Sequence, residues 1–286
     1  MLFRSQIRGD TVSVDFEIKD HYTMEDLIRL ITVLRSPGGC PWDRKQTHES
    51  IKKNFIEETY EAIEAINKKD TQGLREELGD VLLQIMLHCE MEREKGSFDF
   101  NDVVNELCQK LVERHPHVFS GSSAANSAEA LDRWDEVKRK TKGIKKQSES
   151  MLKVPREFPA LMRAQKVQQK AAKAGFDWSN AEGAFQKLQE EINELKNALS
   201  EGVKDHIDEE FGDVLFSCVN VSRFIGADSE ESLTAATDKF ISRYLLVERL
   251  AGERGIDMKS SSIDVLDSLW DEAKNKIAEK AKTEEI

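Results

Sequence analysis

The chain has 286 residues, about twice the size of a common domain, with a formal net charge of −12. That charge repels a nucleic-acid backbone or an anionic membrane, so no DNA, RNA or membrane partner is expected and any phosphate ligand must be received locally. Four cysteines without a C-x-x-C pair, no apolar signal core in the first twenty residues and no apolar run near the roughly 20 residues that span a bilayer predict a reduced, cytoplasmic, soluble protein.

Residues 1–20 form an N-terminal extension in which Val12, Val14, Phe16 and Ile18 alternate as in a short strand. A helical pattern begins near Thr23, breaks at Ser36-Pro37-Gly38-Gly39-Cys40-Pro41 and resumes after Thr47, a suitable N-cap. With only five prolines, long stretches rich in Ala, Leu, Glu, Lys and Gln predict an all-α fold. The first helical domain is placed at 21–140 and the second at 160–286. Between them, 141–159 is basic and polar, with Lys142, Lys145 and Lys146 ahead of Pro155 and Pro159, and reads as a linker.

Inside the first domain, Glu57-Glu58-x-x-Glu61 is followed by Glu77-x-Gly79-Asp80. The second repeats it as Glu190-Glu191-x-x-Glu194 and Glu210-x-Gly212-Asp213, every member shifted by 133 positions. Acids make up 54 of 286 residues, so five coinciding at one offset by chance is roughly a one-in-several-thousand event, and the chain reads as a tandem duplication. The match extends to the ends of the halves, where Trp134 corresponds to Trp270.

Three residues apart on a helix are surface neighbours, so Glu58 pairs with Glu61 and Glu77 with Asp80. Phe55, Ile56, Ala62, Ile63 and Ile66 predict a core stripe that the first pair flanks. A lone E-x-x-E is ordinarily a solvated face; the duplication argues otherwise. Four carboxylates on adjacent helices repel unless a divalent ion intervenes, and all-oxygen ligands suit Mg2+ or Mn2+. A di-iron bundle needs Glu-x-x-His, and none of the six histidines has Glu three residues before it. No Gly-Lys-Ser/Thr loop, G-x-G-x-x-G or H-E-x-x-H occurs.

These residues resemble the MazG family of nucleoside triphosphate pyrophosphohydrolases in its long form with two tandem domains. The likeness covers about residues 24–276. It is carried by Gly39-Cys40-Pro41-Trp42-Asp43, the two acidic sets, Arg114-His115-Pro116-His117-Val118-Phe119, Gly175-Phe176-Asp177-Trp178 and the closing Trp-Asp-Glu-x-x-Lys. The resemblance implies two tandem all-α bundles, a homodimer, and Mg2+-dependent cleavage of a nucleoside triphosphate to monophosphate and pyrophosphate, as in cleansing of nucleotide pools. By motif it implies metal ligands Glu191, Glu194, Glu210 and Asp213 in the second half and Glu58, Glu61, Glu77 and Asp80 in the first. Either Glu191 or Glu194 would accept the proton of the attacking water. Glu57 and Glu190 would support the ligands or touch the nucleotide. Lys239 and Arg243, one turn apart, would face the triphosphate, with Lys187, Asn220 and Trp270 as further contacts and Lys110 and Arg114 as their first-half counterparts. For Trp134 and Trp270 core packing is an equal reading.

Long-form relatives tend to carry activity in the second domain, and here the first has Gln84 and Leu87 where the second has Ser217 and Asn220. His115 and His117 read as a structural turn about Pro116. The competing functions are a phosphoribosyl-ATP, dCTP or dUTP pyrophosphatase, and a catalytically silent nucleotide-binding regulator.

Overall fold

The computed structural model describes residues 16–120 and 146–284, with positions 126, 129, 130, 133, 134, 137, 141 and 143 between them. Val12 and Val14 of the expected strand lie outside the described residues. Phe16 and Ile18 are in irregular chain, and no strand occurs among the described residues. None of the described helices is long and apolar enough to cross a membrane.

The chain divides into two compact units at 138/139. The first contains α1 (Met24–Arg35), α2 (Pro41–Lys45), α3 (His48–Lys68), α4 (Thr71–Glu94), α5 (Phe100–Arg114) and α6 (Pro116–Phe119). Thr23 starts α1 through a capping box with Asp26, and Thr47 starts α3 through one with Ser50, satisfying amides that have no intrahelical acceptor. The expected break at 36–41 is real, although Pro41 at N1 opens the short α2 within it. Lys69 takes the left-handed conformation (φ 56°) that turns α3 into α4. These two pack antiparallel, while Ile31, Ile51, Met86, Leu87 and Met91 form the core with α1.

The second unit contains α7 (Gln147–Leu152), α8 (Ala160–Ala172), α9 (Ala181–Glu201), α10 (Lys204–Phe224), α11 (Ser229–Glu253) and α12 (Ile263–Glu284). Part of the stretch assigned to a linker is thus folded: α7 packs on α8, and Val154 is buried. Helices α9 and α10 pair as α3 and α4 do, turning at Gly202 (φ 72°), 133 positions after Lys69. A second core gathers Val247, Leu250, Ala251, Leu269 and Ala273 between α11 and α12.

The predicted core stripe of α3 does not close. Ala62 is buried, but Ile56, Ile63 and Ile66 are exposed among the described residues, and Phe55 is partly exposed with its ring tilted on His88 of α4. Phe211, Leu215 and Phe216 are likewise open on α10. Periodicity identified an apolar face correctly; it carries no information on what covers that face.

Candidate metal centre

Small residues are buried in each hairpin, Ala62 and Ala65 on α3 and Ala184 and Ala198 on α9, as close helix packing requires. Antiparallel pairing then sets the acids of one helix against those of the other. Carboxylate oxygens of Glu58, Glu77 and Asp80 lie within 4.8 Å of one another, as do those of Glu191, Glu194 and Glu210. Three of the four expected ligands therefore converge in each half. Glu61 stands outside its trio and is exposed, though its charge acts on Glu77; Asp213 is exposed outside the second trio.

The electrostatics of these groups bear on whether a cation fits. Burial, joined by the charges of Asp80 and Glu61, raises the Glu58 carboxyl above its ordinary value. Burial and the charges of Glu61 and Asp80 do the same to Glu77, and burial with a hydrogen bond to Glu191 raises Glu194. Oxygens on opposite sides of an Mg2+ ion are about 4.2 Å apart, so a cluster within 4.8 Å needs only side-chain adjustment to receive one. Crowded, acceptor-only and partly desolvated, the donor set fits a hard divalent cation.

The two trios differ in their counterions. In the second half Lys187 Nζ lies 2.7 Å from both Glu190 and Glu191, which raises the lysine above its ordinary value. The position 133 residues earlier is Asn54, which carries no charge. Glu190, expected to assist the site, is an exposed partner of Lys187.

Asn220 is half-buried on α10, and its Oδ1 accepts a 2.8 Å bond from Arg223 Nη2. Arg223 in turn bonds both oxygens of Asp177, at 2.6 and 3.2 Å. The arginine was not anticipated; Asp177 stood inside the Gly175–Trp178 motif without a role. Trp178 itself lies against Gly183, where an added Cβ would come within 2.9 Å of the ring.

Arg243 and Trp270 form a pair, and Lys239 is exposed on α11. Helix α11 has its main packing on α12 and α8, and Arg243 sits 5.7 Å over the Trp270 ring, beside Phe240. No ion pair joins Lys239 or Arg243 to the acids among the described residues. The first half repeats the cation and aromatic pair: the Arg114 guanidinium lies 4.9 Å over Trp134, with Arg114 buried and Lys110 exposed on α5. Position in sequence matched Trp134 to Trp270 and Lys110 and Arg114 to Lys239 and Arg243, without pairing arginine with tryptophan. It gave no distance from the acids, because α5 and α11 leave the hairpins through loops.

His115 and His117 flank Pro116 at the junction of α5 and α6, and His115 Nδ1 bonds Leu111 O. An unforeseen histidine pair lies elsewhere: His48 and His88 meet across α3 and α4, with Glu92 on the far nitrogen of His48.

Comparison with known proteins agrees with the duplication. The MazG nucleotide pyrophosphohydrolase domain matches twice, at 46–119 and 180–247. A nucleoside triphosphate pyrophosphohydrolase/pyrophosphatase MazG of Thermotoga maritima is 44% identical over 252 residues, 87% of this chain and 95% of that protein. A nucleoside triphosphate pyrophosphohydrolase of Escherichia coli is 41% identical over 257 residues, 88% and 98% of the two chains. One of Mycolicibacterium smegmatis is 37% identical over 169 residues, 58% of this chain and 51% of its own.

Proposed function

The chain belongs to the MazG nucleotide pyrophosphohydrolase family, and from that membership we infer its reaction: it is a hydrolase that converts a nucleoside triphosphate and water to a monophosphate and pyrophosphate. The observation that carries this reading is the convergence of carboxylates in each repeat, a donor set suited to hard-cation and phosphate chemistry.

We assign Mg2+, with Mn2+ an acceptable substitute, to Glu191, Glu194 and Glu210, with Asp213 drawn in, and to Glu58, Glu77 and Asp80, with Glu61 drawn in. Bound there, the ion would offset phosphate charge. The protein's own groups do the rest. Lys187 holds Glu191 in place. Either Glu191 or Glu194 takes the proton of the water that attacks the α-phosphorus. The new bond is from water oxygen to the α-phosphorus, the α–β anhydride bond breaks, and pyrophosphate leaves.

The open apolar faces favour a homodimer. Phe211, Leu215 and Phe216 on α10 and Phe240, Ile241 and Leu245 on α11 are exposed apolar side chains that an interface would cover. A second copy would cover them and give Lys239 and Arg243, which make no ion pair with the acids of their own chain among the described residues, access to a triphosphate held by the partner. Sedimentation equilibrium should return twice the monomer mass; a monomer at micromolar concentration refutes the assembly.

Pyrophosphate release by the intact chain with Mg2+, assayed over ribo- and deoxyribonucleoside triphosphates with products resolved by chromatography, tests the reaction. Monophosphate and pyrophosphate in equal amounts are expected. Absence of release across the panel overturns the reading.

A further inference from the structure

In the second hairpin Glu191 and Glu194 face Glu210, so moving ten residues along α10 to Asn220 moves about as far back along α9, to its first turn at 181–184. Asn220 follows Asp213 by seven residues, which places it about 10 Å along the axis on the same face. That is about the span from a triphosphate's reacting phosphate to its nucleoside. The motif loop closes this end too, because Trp178 lies on Gly183.

Arg223 decides how Asn220 presents itself. A guanidinium only donates, so the group it bonds at 2.8 Å must be the amide oxygen, and the amide nitrogen with its two hydrogens is turned the other way. Arg223 cannot rotate freely either, since Asp177 engages both of its terminal nitrogens and its side chain is only 12% exposed. The chain of contacts from Asp177 through Arg223 to Asn220 therefore fixes a donor-only amide about 10 Å from the acids. The first half lacks it: Leu87, fully buried, stands at the place of Asn220, and Glu90, bonded to Arg93 and Thr32, at that of Arg223.

We propose that Arg223, braced by Asp177, is the positioning residue that keeps the amide of Asn220, a nucleotide contact by resemblance, turned to donate to an acceptor atom on the nucleoside of the bound triphosphate. This rests on the pyrophosphohydrolase reading and assigns nucleoside recognition to the second half alone of the two. The acceptor belongs to the base or to the sugar.

The test is steady-state pyrophosphate release by the intact protein with Mg2+, using ATP, GTP, CTP, UTP and their deoxy forms. Asn220→Asp keeps the shape and strengthens the bond to Arg223 but removes both donors. It should raise KM about tenfold or more, leave kcat within about twofold, and preserve the thermal midpoint. Arg223→Ala should raise KM similarly, and Arg223→Lys should restore part of the loss. A KM effect that varies with the base places the acceptor on the base; one that is uniform and absent in deoxynucleotides places it on the sugar. An unchanged KM in folded Asn220→Asp and Arg223→Ala, or a loss confined to kcat, overturns the proposal. A wild-type protein that releases no pyrophosphate defeats the underlying reading instead.

Discussion

His48 Nδ1 lies 2.6 Å from His88 Nδ1 with the two ring planes 4° from parallel, and His48 Nε2 lies 2.6 Å from Glu92. One Nδ1 donates to the other, and the tautomers of the two rings decide which. The pair bolts the first turn of α3 to the later part of α4. Lys95, 2.7 Å from the same Glu92 oxygen, completes it and helps hold that carboxyl at about 2.

A pH dependence follows. Burial, and then the charge of His48, lowers His88 from its ordinary 6.5. The unfolded chain therefore takes a proton near pH 6.5 that the folded chain accepts only at lower pH. Between those values the unfolded state binds more protons, so stability is full above 6.5 and declines as pH falls toward the folded value. Urea midpoints measured from pH 7.5 to 5 should decrease, with a shallower slope in His88→Gln. Equal slopes would exclude the pair as the cause.

Glu194→Gln and Glu210→Gln should each lower kcat/KM for pyrophosphate release at least about a hundredfold, since a carboxamide is a weak ligand for a hard cation. Helical circular dichroism should be retained. Glu77→Gln is expected to act in the opposite sense on the metal-free protein. The Glu77 carboxyl is raised by burial and by Glu61 and Asp80, so its favourable contribution is present below 4.5 and lost as pH rises through its folded value. At neutral pH the substitution should raise the metal-free melting midpoint while reducing the further rise on adding Mg2+. A lowered metal-free midpoint would contradict the repulsion argument.

Lys69 and Gly202 end equivalent helices in the same left-handed conformation. A side chain there crowds the carbonyl, a cost that glycine avoids. Lys69→Gly should stabilise the protein by about 0.5–1 kcal/mol in chemical denaturation, whereas Gly202→Lys should destabilise it by a similar amount.

Gly183 and Gly39 are needed for space. A Cβ on Gly183 meets the Trp178 ring at 2.9 Å, and one on Gly39 meets Val33 O at 2.2 Å. The ring can shift; the backbone carbonyl cannot do so without deforming the end of α1. Gly183→Ala should cost about 1–3 kcal/mol and Gly39→Ala more, and calorimetry of the two variants should rank them in that order.

Much of the acidic site was legible because helices convert spacing into placement. An interval of three puts Glu58 beside Glu61, and an offset of 133 marks Glu191 and Glu194 as their equivalents. The caps at Thr23 and Thr47 were legible for the same local reason. His48 and His88 were not, being forty residues apart in no motif, although the antiparallel register of Glu58 against Asp80 also sets 48 against 88. Arg223 escaped notice because one arginine near a helix end has no signature of its own.

Local chemistry in the chain, then, determined the helices, their ends, the duplication and the kind of ligand the acids suit, since each depends on residues within a few turns. Tertiary structure alone decided which three of four acids converge, where the cations stand and which apolar faces remain open. Those outcomes depend on the register of one helix against another and on the loops that carry α5 and α11 away, and side-chain periodicity carries no record of either.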